Sequence, residues 1–225
     1  MDFNVEEVRA RLKKLDTPAV SDAMDSLGVN RALHGIECRT QGVKVAGPVF
    51  TVQYERFDKS PETFQNAGNY IDQVPAGAIV LINNYGDTSC TNWGDILTRK
   101  AMSSGIEGTV VNGSARDLAV VRELGYPLFS KGIYMVSGKN RVRVSATNVP
   151  VEINSVVVEP SDWLFADDNG VVVIAADNLL QVLERAENVE KTEERIVAAI
   201  ESGASLDEAR SQYGYSKPWE VVNGN

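Results

Sequence analysis

Three side chains able to bind a metal ion and an organic anion occur at two glycine-containing turns of this sequence. Asp95 directly follows Gly94 at a predicted helix start. Twenty residues separate Asp95 from the pair Arg116-Asp117, which follows the apolar strand and turn of residues 110–114. Hard divalent cations take oxygen ligands, whereas a substrate carboxylate or an enolate is stabilised by arginine and by free helix N-terminal amides. If the two turns meet at one end of a sheet, these residues supply both kinds of contact.

The same carboxylates also have a purely structural explanation. Asn92-x-x-Asp95 and Ser114-x-x-Asp117 have the pattern of capping boxes, in which an N-cap residue precedes an acid by three positions. An acid in the first turn also favours the positive end of the helix dipole. The two interpretations are compatible, because a carboxylate can cap a helix in one state and bind a metal in another.

The fragments around these residues resemble the RraA-like family, which includes the metal-dependent 4-hydroxy-4-methyl-2-oxoglutarate aldolases, or class II pyruvate aldolases. Besides the Asp-x20-Arg-Asp spacing, the resemblance rests on the order of five fragments: TPAVSDAMDSLGV (17–29), VPAGAIVLI (74–82), GDIL (94–97), VVNGSARDLAVVRELGYPLFSKG (110–132) and VPVEINSVVVEPSDWLFADDNGVVVI (149–174). It extends from about Thr17 to about Ser202. The family has an α/β fold, a swivelling β/β/α sandwich with a mixed sheet, and assembles as homotrimers or homohexamers.

The resemblance implies a role for each candidate residue. Asp117 is expected to ligate the metal directly, and Asp95 to hold metal-bound water and serve proton transfer. Arg116 is expected to bind the substrate and stabilise the enolate, and the amides near Ile96 and Leu97 to bind the substrate carboxylate. The cofactor expected from an oxygen-only ligand set is Mg²⁺, or Mn²⁺.

A further acid from a neighbouring subunit is expected to reach the metal through water. The matching residue is Glu193 or Glu194, in EKTEERI, although a solvated face of a highly charged helix also explains either one. The family's phosphate activation is linked to an Asn and a His before the Pro-Gly turn. Residues 64–68 read FQNAG without histidine, so neither phosphate activation nor the substrates best known for the family are assumed.

Three functions remain open at this stage. The first is a metal-dependent aldolase that cleaves a 4-hydroxy-2-keto acid to release pyruvate and also acts on oxaloacetate. The second is a non-catalytic protein that binds and inhibits a ribonuclease, and the third is another lyase or hydrolase acting on sugar acids. The complete set of Asp95, Asp117 and an acid at Glu193 or Glu194 favours the enzyme.

Composition narrows the class of protein and its partners. The chain has 225 residues, 43% hydrophobic and 24% charged, with a net charge of −9. An acidic surface opposes binding to nucleic acid and to anionic membranes, and no apolar run is long enough for a signal peptide or a membrane helix. Cys38 and Cys90 lack metal-type spacing and are expected to be free thiols of a cytoplasmic protein. The single histidine, His34, is expected in a loop contact or at the surface.

Apolar periodicity and turn residues predict a single α/β domain over residues 1–225, with a C-terminal helical extension at about 177–225. Asp168-Asn169-Gly170 predicts a hairpin, which explains Asp167-Asp168 better than a metal site does. The other elements predicted are an amphipathic helix from Val5, a helix capped by Thr17, two strands over Gly42–Tyr54 joined at Gly47-Pro48, a helix over Glu62–Asp72, a strand over Ala78–Asn83, a helix over Asp95–Ser104, a strand over Gly108–Val111, a helix over Arg116–Leu124, a strand over Pro127–Phe129, short strands after Lys139, a helix over Asp177–Ser202 and a capping box at Ser205-Glu208.

Overall fold

The structure, a computed structural model, describes residues 4–57 and 68–220. Its helices and strands, in chain order, are α1 (Val5–Leu12), α2 (Thr17–Asp25), β1 (Glu37–Cys38), β2 (Val45–Arg56), β3 (Ile79–Asn83), β4 (Thr91–Trp93), α3 (Asp95–Ser103), β5 (Gly108–Ala115), α4 (Leu118–Glu123), β6 (Leu128–Ile133), β7 (Val142–Thr147), β8 (Val151–Ile153), β9 (Val156–Val158), β10 (Trp163–Asp167), β11 (Gly170–Ile174), α5 (Leu179–Glu201) and α6 (Leu206–Tyr213). The described part of the predicted helix over Glu62–Asp72 is a 3-10 helix, Asn69–Gln73; residues 62–67 lie outside the described residues.

Contacts between residues divide the chain into two compact units. Residues Arg31–Ala176 form one unit, which contains every described strand together with α3 and α4. The residues up to Asn30 and those from Asp177 onward form the other, which contains α1, α2, α5 and α6. Both ends of the chain therefore contribute to the helical unit, and the single domain with a C-terminal extension stays a prediction.

Strands in both orientations build the sheet of the larger unit. Among the described residues it has nine strands in the order β1-β6-β5-β3-β2-β10-β11, with β4 paired to β5 and β7 paired to β2. Neighbours from β2 to β6 are parallel, while β1, β7, β10 and β11 pair antiparallel. A separate hairpin joins β8 to β9. The predicted α/β class with a mixed sheet is confirmed.

One strand, β2, runs through the point where the sequence predicted two strands and a bend. Its first half pairs with β10, where Pro48 lies opposite Trp163, and its second half begins its parallel pairing with β3 at Val49. Proline has no amide hydrogen to donate and normally interrupts a ladder. Here the strand changes partners at the proline, so β2 continues and the prediction of two strands is wrong.

The apolar run of β3 is explained by burial on both faces of the sheet. All five of its residues are buried. Side chains alternate along a strand, so Val80 and Ile82 join a core cluster with Trp93, whereas Ile79 and Leu81 join a second cluster. A parallel strand covered on both faces reads as a continuous hydrophobic run. Its polar end, Asn83, marks the edge of the sheet where the candidate site lies.

The predicted hairpin at Asp168-Asn169-Gly170 is confirmed. Asp167 pairs with Gly170 across β10 and β11, which leaves two residues in the turn. The Asp167 carboxylate accepts from the Asn169 amide at 2.8 Å, and both oxygens of Asp168 accept from the Gly42 amide at 3.0 Å. Both carboxylates therefore accept hydrogen bonds from loop amides, as a hairpin predicts, rather than forming a metal site.

In the helical unit, α1, α2 and α6 pack on the 23-residue helix α5. Arg11 donates to both carboxylate oxygens of Glu187, at 2.7 and 3.0 Å. The N-cap of α2 is Asp16 rather than the predicted Thr17, because the Asp16 carboxylate accepts from the Ala19 amide. The predicted capping box at the start of α6 is confirmed. Within the described residues no helix is long and apolar enough to cross a membrane.

Candidate active site

Two parallel neighbours, β4 and β5, bring the predicted site residues together. Asp95 follows β4 and Arg116-Asp117 follows β5, and the strands pair so that Trp93 lies opposite Ala115. The Arg116 amide donates to the Trp93 carbonyl at 2.9 Å, which extends the ladder by one more bond. Parallel strands carry the residues after them to the same edge of a sheet. The convergence expected from the sequence therefore follows from strand pairing.

The start of α4 differs from the prediction of a helix beginning at Arg116. Strand β5 continues through Ala115, and Asp117 takes the left-handed conformation, with φ 60° and ψ 33°, before α4 begins at Leu118. Aspartate visits this region more readily than most residues, though at some cost. The chain thus turns sharply at Asp117, which moves its carboxylate toward α3.

The two predicted capping boxes do not form. The N-cap of α3 is Gly94, and neither Asn92 nor Ser114 caps the helix that follows it. Instead, Oδ2 of Asp117 accepts a hydrogen bond of 3.1 Å from the Asp95 amide, the first amide of α3. A carboxylate from one turn therefore caps the helix of the other turn, an arrangement that local sequence spacing cannot show.

Gly94 makes room for that carboxylate. A Cβ atom at position 94 would lie 2.6 Å from Asp117 Oδ2 and 3.4 Å from Arg116 Nε. Asp117 Oδ2 itself lies 3.4 Å from Arg116 Nε, so the guanidinium and carboxylate pair beside the glycine. The backbone of Gly94 is extended, with φ −160°. Space rather than backbone conformation therefore favours glycine at this position.

Buried hydrogen bonds fix the first turn of α3. The indole nitrogen of Trp93 donates to the Thr98 hydroxyl at 2.8 Å, and that hydroxyl donates to the Gly94 carbonyl at 3.0 Å. Trp93 also stacks on Tyr126, with ring centroids 6.0 Å apart. Sequence analysis missed Trp93 and Thr98 because apolar and hydroxyl side chains at this spacing are equally typical of an ordinary core.

A small cavity of about 160 Å³ opens beside these residues. Arg116 and the start of α3 line it, and Ile96, at its rim, is 76% exposed. The Ile96 and Leu97 amides have no hydrogen-bond acceptor within residues 4–57 and 68–220. The other residues that line the cavity are Gly68, Thr91, Asn92, Trp93, Gly94, Asp95, Leu97, Ser137, Gly138 and Lys139. The cavity thus offers a small anion the Arg116 guanidinium and two helix amides that are unpaired among the described residues, with the Asp95 carboxylate beside them.

Asn92, in β4, is a further polar residue of the cavity that sequence analysis missed as a site residue. Both polar atoms of its side chain are buried, and neither has a hydrogen-bond partner in the described part of the chain. A Cβ atom at Gly113 would lie 2.5 Å from Asn92 Oδ1, so the amide packs directly against that glycine. Buried amides are nearly always satisfied, by protein groups or by ordered water. The sequence around Asn92 gives no signal that its side chain is buried at the cavity.

The donor set is compatible with a hard cation that keeps several waters. Asp117 and Asp95 provide carboxylates at adjoining helix starts, without a nearby histidine or thiolate. Mg²⁺ is usually held by one or two carboxylates and retains water. No group of three potential metal-ligating side chains occurs among the described residues of a single chain. The set is therefore suitable for a metal but supplies few direct ligands.

Glu193 and Glu194 lie on α5, in the helical unit, and both are exposed. Partial burial, followed by the negative charges of Asp16 and Asp22, raises the pKa of Glu193. The assignment of either glutamate to metal-bound water stays a prediction.

The remaining reactive side chains have simpler explanations. Burial raises the pKa of the Cys38 thiol to about 11 and also raises the pKa of the Cys90 thiol, so neither is an activated nucleophile. His34 is exposed in a loop, where its carbonyl accepts from Asn154, as expected. Lys100 pairs with Asp72 at 2.8 Å, and Lys131 is exposed. These lysines are solvated, which disfavours a Schiff-base reaction.

Comparison with known proteins identifies the family. The RraA-like family (Aldolase/RraA) matches residues 17–173, which is more than half of the chain. The chain belongs to the RraA-like family. Protein DlpA of Legionella pneumophila is 44% identical over 95% of this chain, which spans about a third (35%) of DlpA. A Halalkalibacterium halodurans protein with the provisional name 4-hydroxy-4-methyl-2-oxoglutarate aldolase is 27% identical over 84% of this chain and 87% of its own length.

Solved structures agree with this membership. A protein of unknown function from Pseudomonas syringae pv. tomato has a TM-score of 0.85 and 41% identity, covering 93% of this chain and 100% of its own. Streptomyces coelicolor RraAS2, described as an unusual member of the RNase ES inhibitor RraA protein family, has a TM-score of 0.73 and 29% identity, covering 84% and 95%. The predicted swivelling β/β/α fold of the RraA-like family is thereby confirmed.

Proposed function

We propose that this RraA-like protein is a divalent-metal-dependent aldolase that cleaves a 4-hydroxy-2-keto acid and releases pyruvate. The observation that carries the proposal is the meeting of Arg116, Asp95 and two α3 amides, unpaired among the described residues, in one small cavity, with Asp117 hydrogen-bonded to the same helix start. The provisional name of the Halalkalibacterium relative supports the same class of reaction.

The keto-acid end of the substrate fits the start of α3. Its carboxylate would accept hydrogen bonds from the Ile96 and Leu97 amides, which have no acceptor within the described residues. A helix N-terminus also stabilises an anion through its dipole. Arg116 would donate to the 2-keto oxygen, where negative charge develops during the reaction. The cavity of about 160 Å³ is suited to a group of a few carbons.

Asp117 and Asp95 would hold Mg²⁺ or Mn²⁺, Asp117 directly and Asp95 through water. When bound, the cation polarises the 2-keto group and lowers the energy of negative charge on its oxygen. Because one chain supplies few ligands, Glu193 or Glu194 of the partner subunit would add an acceptor through water. The proposed assembly is therefore a homotrimer or homohexamer in which neighbouring chains share each site.

The bond changes follow from these positions. Asp95 accepts the proton of the 4-hydroxyl group, and the bond between carbons 3 and 4 breaks. Its electron pair becomes the enolate of pyruvate, whose oxygen Arg116 stabilises, while carbon 4 leaves as a carbonyl compound. The proton that Asp95 accepted then passes, through water, to carbon 3, which completes pyruvate and returns Asp95 to its carboxylate form. Decarboxylation of oxaloacetate yields the same enolate, so we expect that activity as well.

A pyruvate-release assay on a panel of 4-hydroxy-2-keto acids and oxaloacetate tests the proposal. We expect EDTA to abolish turnover and Mg²⁺ or Mn²⁺ to restore it. Arg116→Lys loses the planar fork of donors, so its turnover number should fall by about a hundredfold. Arg99→Lys, at an exposed position of the same helix α3, is the matched control and should retain activity. Full turnover after metal removal, or an unaffected Arg116→Lys variant, would contradict the mechanism.

The alternative is a non-catalytic protein that inhibits a ribonuclease, favoured by the similarity to Streptomyces RraAS2. That function does not require a metal or the charge of Asp117. If the metal-loaded protein releases no pyruvate from any panel member but inhibits RNase ES, and Asp117→Asn inhibits equally well, the alternative is correct.

A further inference from the structure

A second cavity, of about 450 Å³, adjoins the first and has a strongly basic lining. Arg56, Lys139 and Arg141 provide three positive charges, and Asp87 provides one negative charge. The other described residues of the lining are Phe57, Ser89, Cys90, Asn140 and Val142. The whole chain carries a net charge of −9. A basic cavity in an acidic protein attracts anions to one place on the surface.

Two chain segments line both cavities. Ser89 and Cys90 line the larger one, and the residues from Thr91 to Leu97 continue directly into the smaller one. Ser137 and Gly138 line the smaller one, and residues 140–142 line the larger one. Lys139, between them, lines both. A ligand whose keto-acid end lies at α3 therefore extends naturally into the basic cavity.

The two guanidinium groups keep donors available for a ligand. Nη1 of Arg141 donates to the Ser137 carbonyl at 2.9 Å, which orients the side chain, and its Nε and Nη2 have no acceptor among the described residues. Nη2 of Arg56 donates to Asp87 at 3.0 Å, and the Arg56 side chain is 81% exposed. Arginine recognises phosphate and carboxylate through such planar forks.

The negative charge of Asp87 offsets only part of the positive charge of the lining. Hydrogen bonds from Ser89, and then Arg56, lower the pKa of Asp87, so its carboxylate is ionised at neutral pH. Burial raises the pKa of the Cys90 thiol, which is therefore neutral and adds no further negative charge. With three cations and one anion, the part of the lining that residues 4–57 and 68–220 supply has a net positive charge. A phosphate monoester carries between about one and a half and two negative charges at neutral pH, whereas a carboxylate carries one.

We infer that the basic cavity binds the distal phosphate of a phosphorylated 4-hydroxy-2-keto acid, an inference that rests on the proposed function for the keto-acid end. Arg141 and Arg56 donate to the phosphate oxygens, and Lys139 neutralises charge between the two cavities. The carbon chain of the substrate runs from α3 along the segment that contains Lys139.

Three non-cleavable ligands of equal chain length test the inference by calorimetry on the Mg²⁺-loaded protein. They are 2-oxohexanoate, 2-oxoadipate and 2-oxo-5-phosphonopentanoate, which carry a methyl, carboxylate or phosphonate group on the same five-carbon keto-acid chain and lack the 4-hydroxyl group. We expect the phosphonate to bind at least about tenfold more tightly than 2-oxohexanoate, the scale of one charged hydrogen bond, with 2-oxoadipate between them. Equal affinities for the phosphonate and 2-oxohexanoate, or tighter binding of 2-oxoadipate, would overturn the inference.

Variants locate the binding in this cavity. Arg141→Gln should weaken phosphonate binding by about tenfold or more and leave 2-oxohexanoate unchanged. Arg141→Lys should restore part of the loss. Arg56→Gln removes the second guanidinium, at an exposed side chain, and leaves the hydrogen bond between Arg141 and the Ser137 carbonyl in place. Arg122→Gln is the matched control, since Arg122, on α4, donates to the Arg39 carbonyl at 2.9 Å and lines neither cavity. A phosphonate preference that survives in both Arg141→Gln and Arg56→Gln would contradict the inference.

Two further measurements separate the possible sources of failure. Inorganic phosphate, titrated in the presence of 2-oxohexanoate, should bind more weakly than the tethered phosphonate; equal affinity would assign the cavity to free phosphate and overturn the substrate inference. Pyruvate release is measured separately on phosphorylated and unphosphorylated hydroxy keto acids. Phosphonate preference without any pyruvate release contradicts only the aldolase reaction, whereas pyruvate release without phosphonate preference contradicts only the phosphate cavity.

Discussion

The carboxylate of Asp117 accepts a hydrogen bond from the first amide of α3, so the proposed metal ligand also holds the neighbouring helix start. Its left-handed backbone directs it there, and Gly94 leaves the space that it occupies. A metal bound at Oδ2 of Asp117 would compete with this hydrogen bond, whereas a metal bound at Oδ1 would leave it in place. The site therefore depends on the space beside Gly94 as well as on the charges of Arg116 and Asp117.

Gly94→Ala should disrupt the site while the protein remains folded. The new Cβ atom would lie 2.6 Å from Asp117 Oδ2, which forces the carboxylate or the α3 start to move. We expect Mg²⁺ affinity to fall by about tenfold or more, the scale for disturbing a ligand's surroundings, as measured by calorimetry, with an unchanged circular dichroism spectrum.

Gly125→Ala is the control for Gly94→Ala. Gly125 has φ +64°, and a Cβ atom added there would have no atom within 4 Å, so alanine strains the backbone without touching the site. It should lower the free energy of unfolding by about 1 kcal/mol and leave Mg²⁺ binding unchanged. Equal Mg²⁺ affinities for Gly94→Ala and the unmodified protein would show that Asp117 is not held as described.

Sequence spacing was sufficient to predict that Asp95, Arg116 and Asp117 lie together, because they follow two strands that end at the same sheet edge. It was not sufficient for the cross-helix cap, since Asn92 and Ser114 match a capping box equally well. The basic residues of the larger cavity also gave no signal. They come from β2 and from the segment before β7, and charged residues on such segments are ordinary surface features until the fold brings them together.

At the scale of elements, the three-residue strand β4 positions the site. It is too short to give a hydrophobic alternation, so it was missed. Pairing with β4 on one side and β6 on the other extends β5 to Ala115, beyond the predicted end at Val111. The long apolar strand β3 and the Asn-Gly hairpin were predictable, because each depends on local pattern. The change of pairing partner along β2 was not predictable, because it depends on strands that are distant in sequence.

Thr98→Val should lower the free energy of unfolding by removing the buried hydrogen bonds at the start of α3. Thr98 is fully buried; its hydroxyl accepts from Trp93 and donates to the Gly94 carbonyl. Valine keeps the shape but leaves the indole N–H unsatisfied, which costs about 1–3 kcal/mol of unfolding free energy. Urea denaturation followed by tryptophan fluorescence measures the change. Ser103→Ala, which removes an exposed hydroxyl from the same helix, should have little effect; an equally small effect of Thr98→Val would refute the role of this buried pair.

At the scale of the whole molecule, the helical unit contains an acidic cluster with a predictable pH response. Burial and the charges of Asp16 and Asp22 raise the pKa of Glu193, so the folded state binds its proton more tightly than the unfolded state does. Stability therefore falls as pH rises through the range just above the usual pKa of a glutamate. Glu193→Gln should be more stable than the unmodified protein at pH 7, by a few tenths of a kcal/mol, because a partly exposed charge is screened.

Thermal unfolding at neutral and acidic pH tests this response. The advantage of Glu193→Gln should shrink in acid, where the carboxyl of the unmodified protein is protonated. Glu194→Gln removes the same net charge from the next position and controls for it. A stabilisation that is identical for both variants, or that grows in acid, would exclude the acidic cluster as the cause.

The proposed sharing of the site between subunits predicts complementation. An Asp117→Ala chain and a chain with both Glu193→Gln and Glu194→Gln should each be inactive in the pyruvate assay. Mixed oligomers would contain some interfaces with one intact half from each parent, so activity should return after subunit exchange. Confirmed exchange without recovered activity, or a fully active monomer by light scattering, would exclude a shared site.

The helical unit joins α2 to α5 across most of the chain; the Arg11–Glu187 pair alone spans 176 residues. A ribosome that adds about 5–20 residues per second needs on the order of ten to thirty seconds to make the residues between them. Residues 31–176, by contrast, are contiguous and can fold as they emerge. During that interval the apolar side chains of α2 lack their contacts with α5. Helix α2 therefore completes its native packing later than residues 31–176 can, and its apolar face can be bound by a chaperone until then.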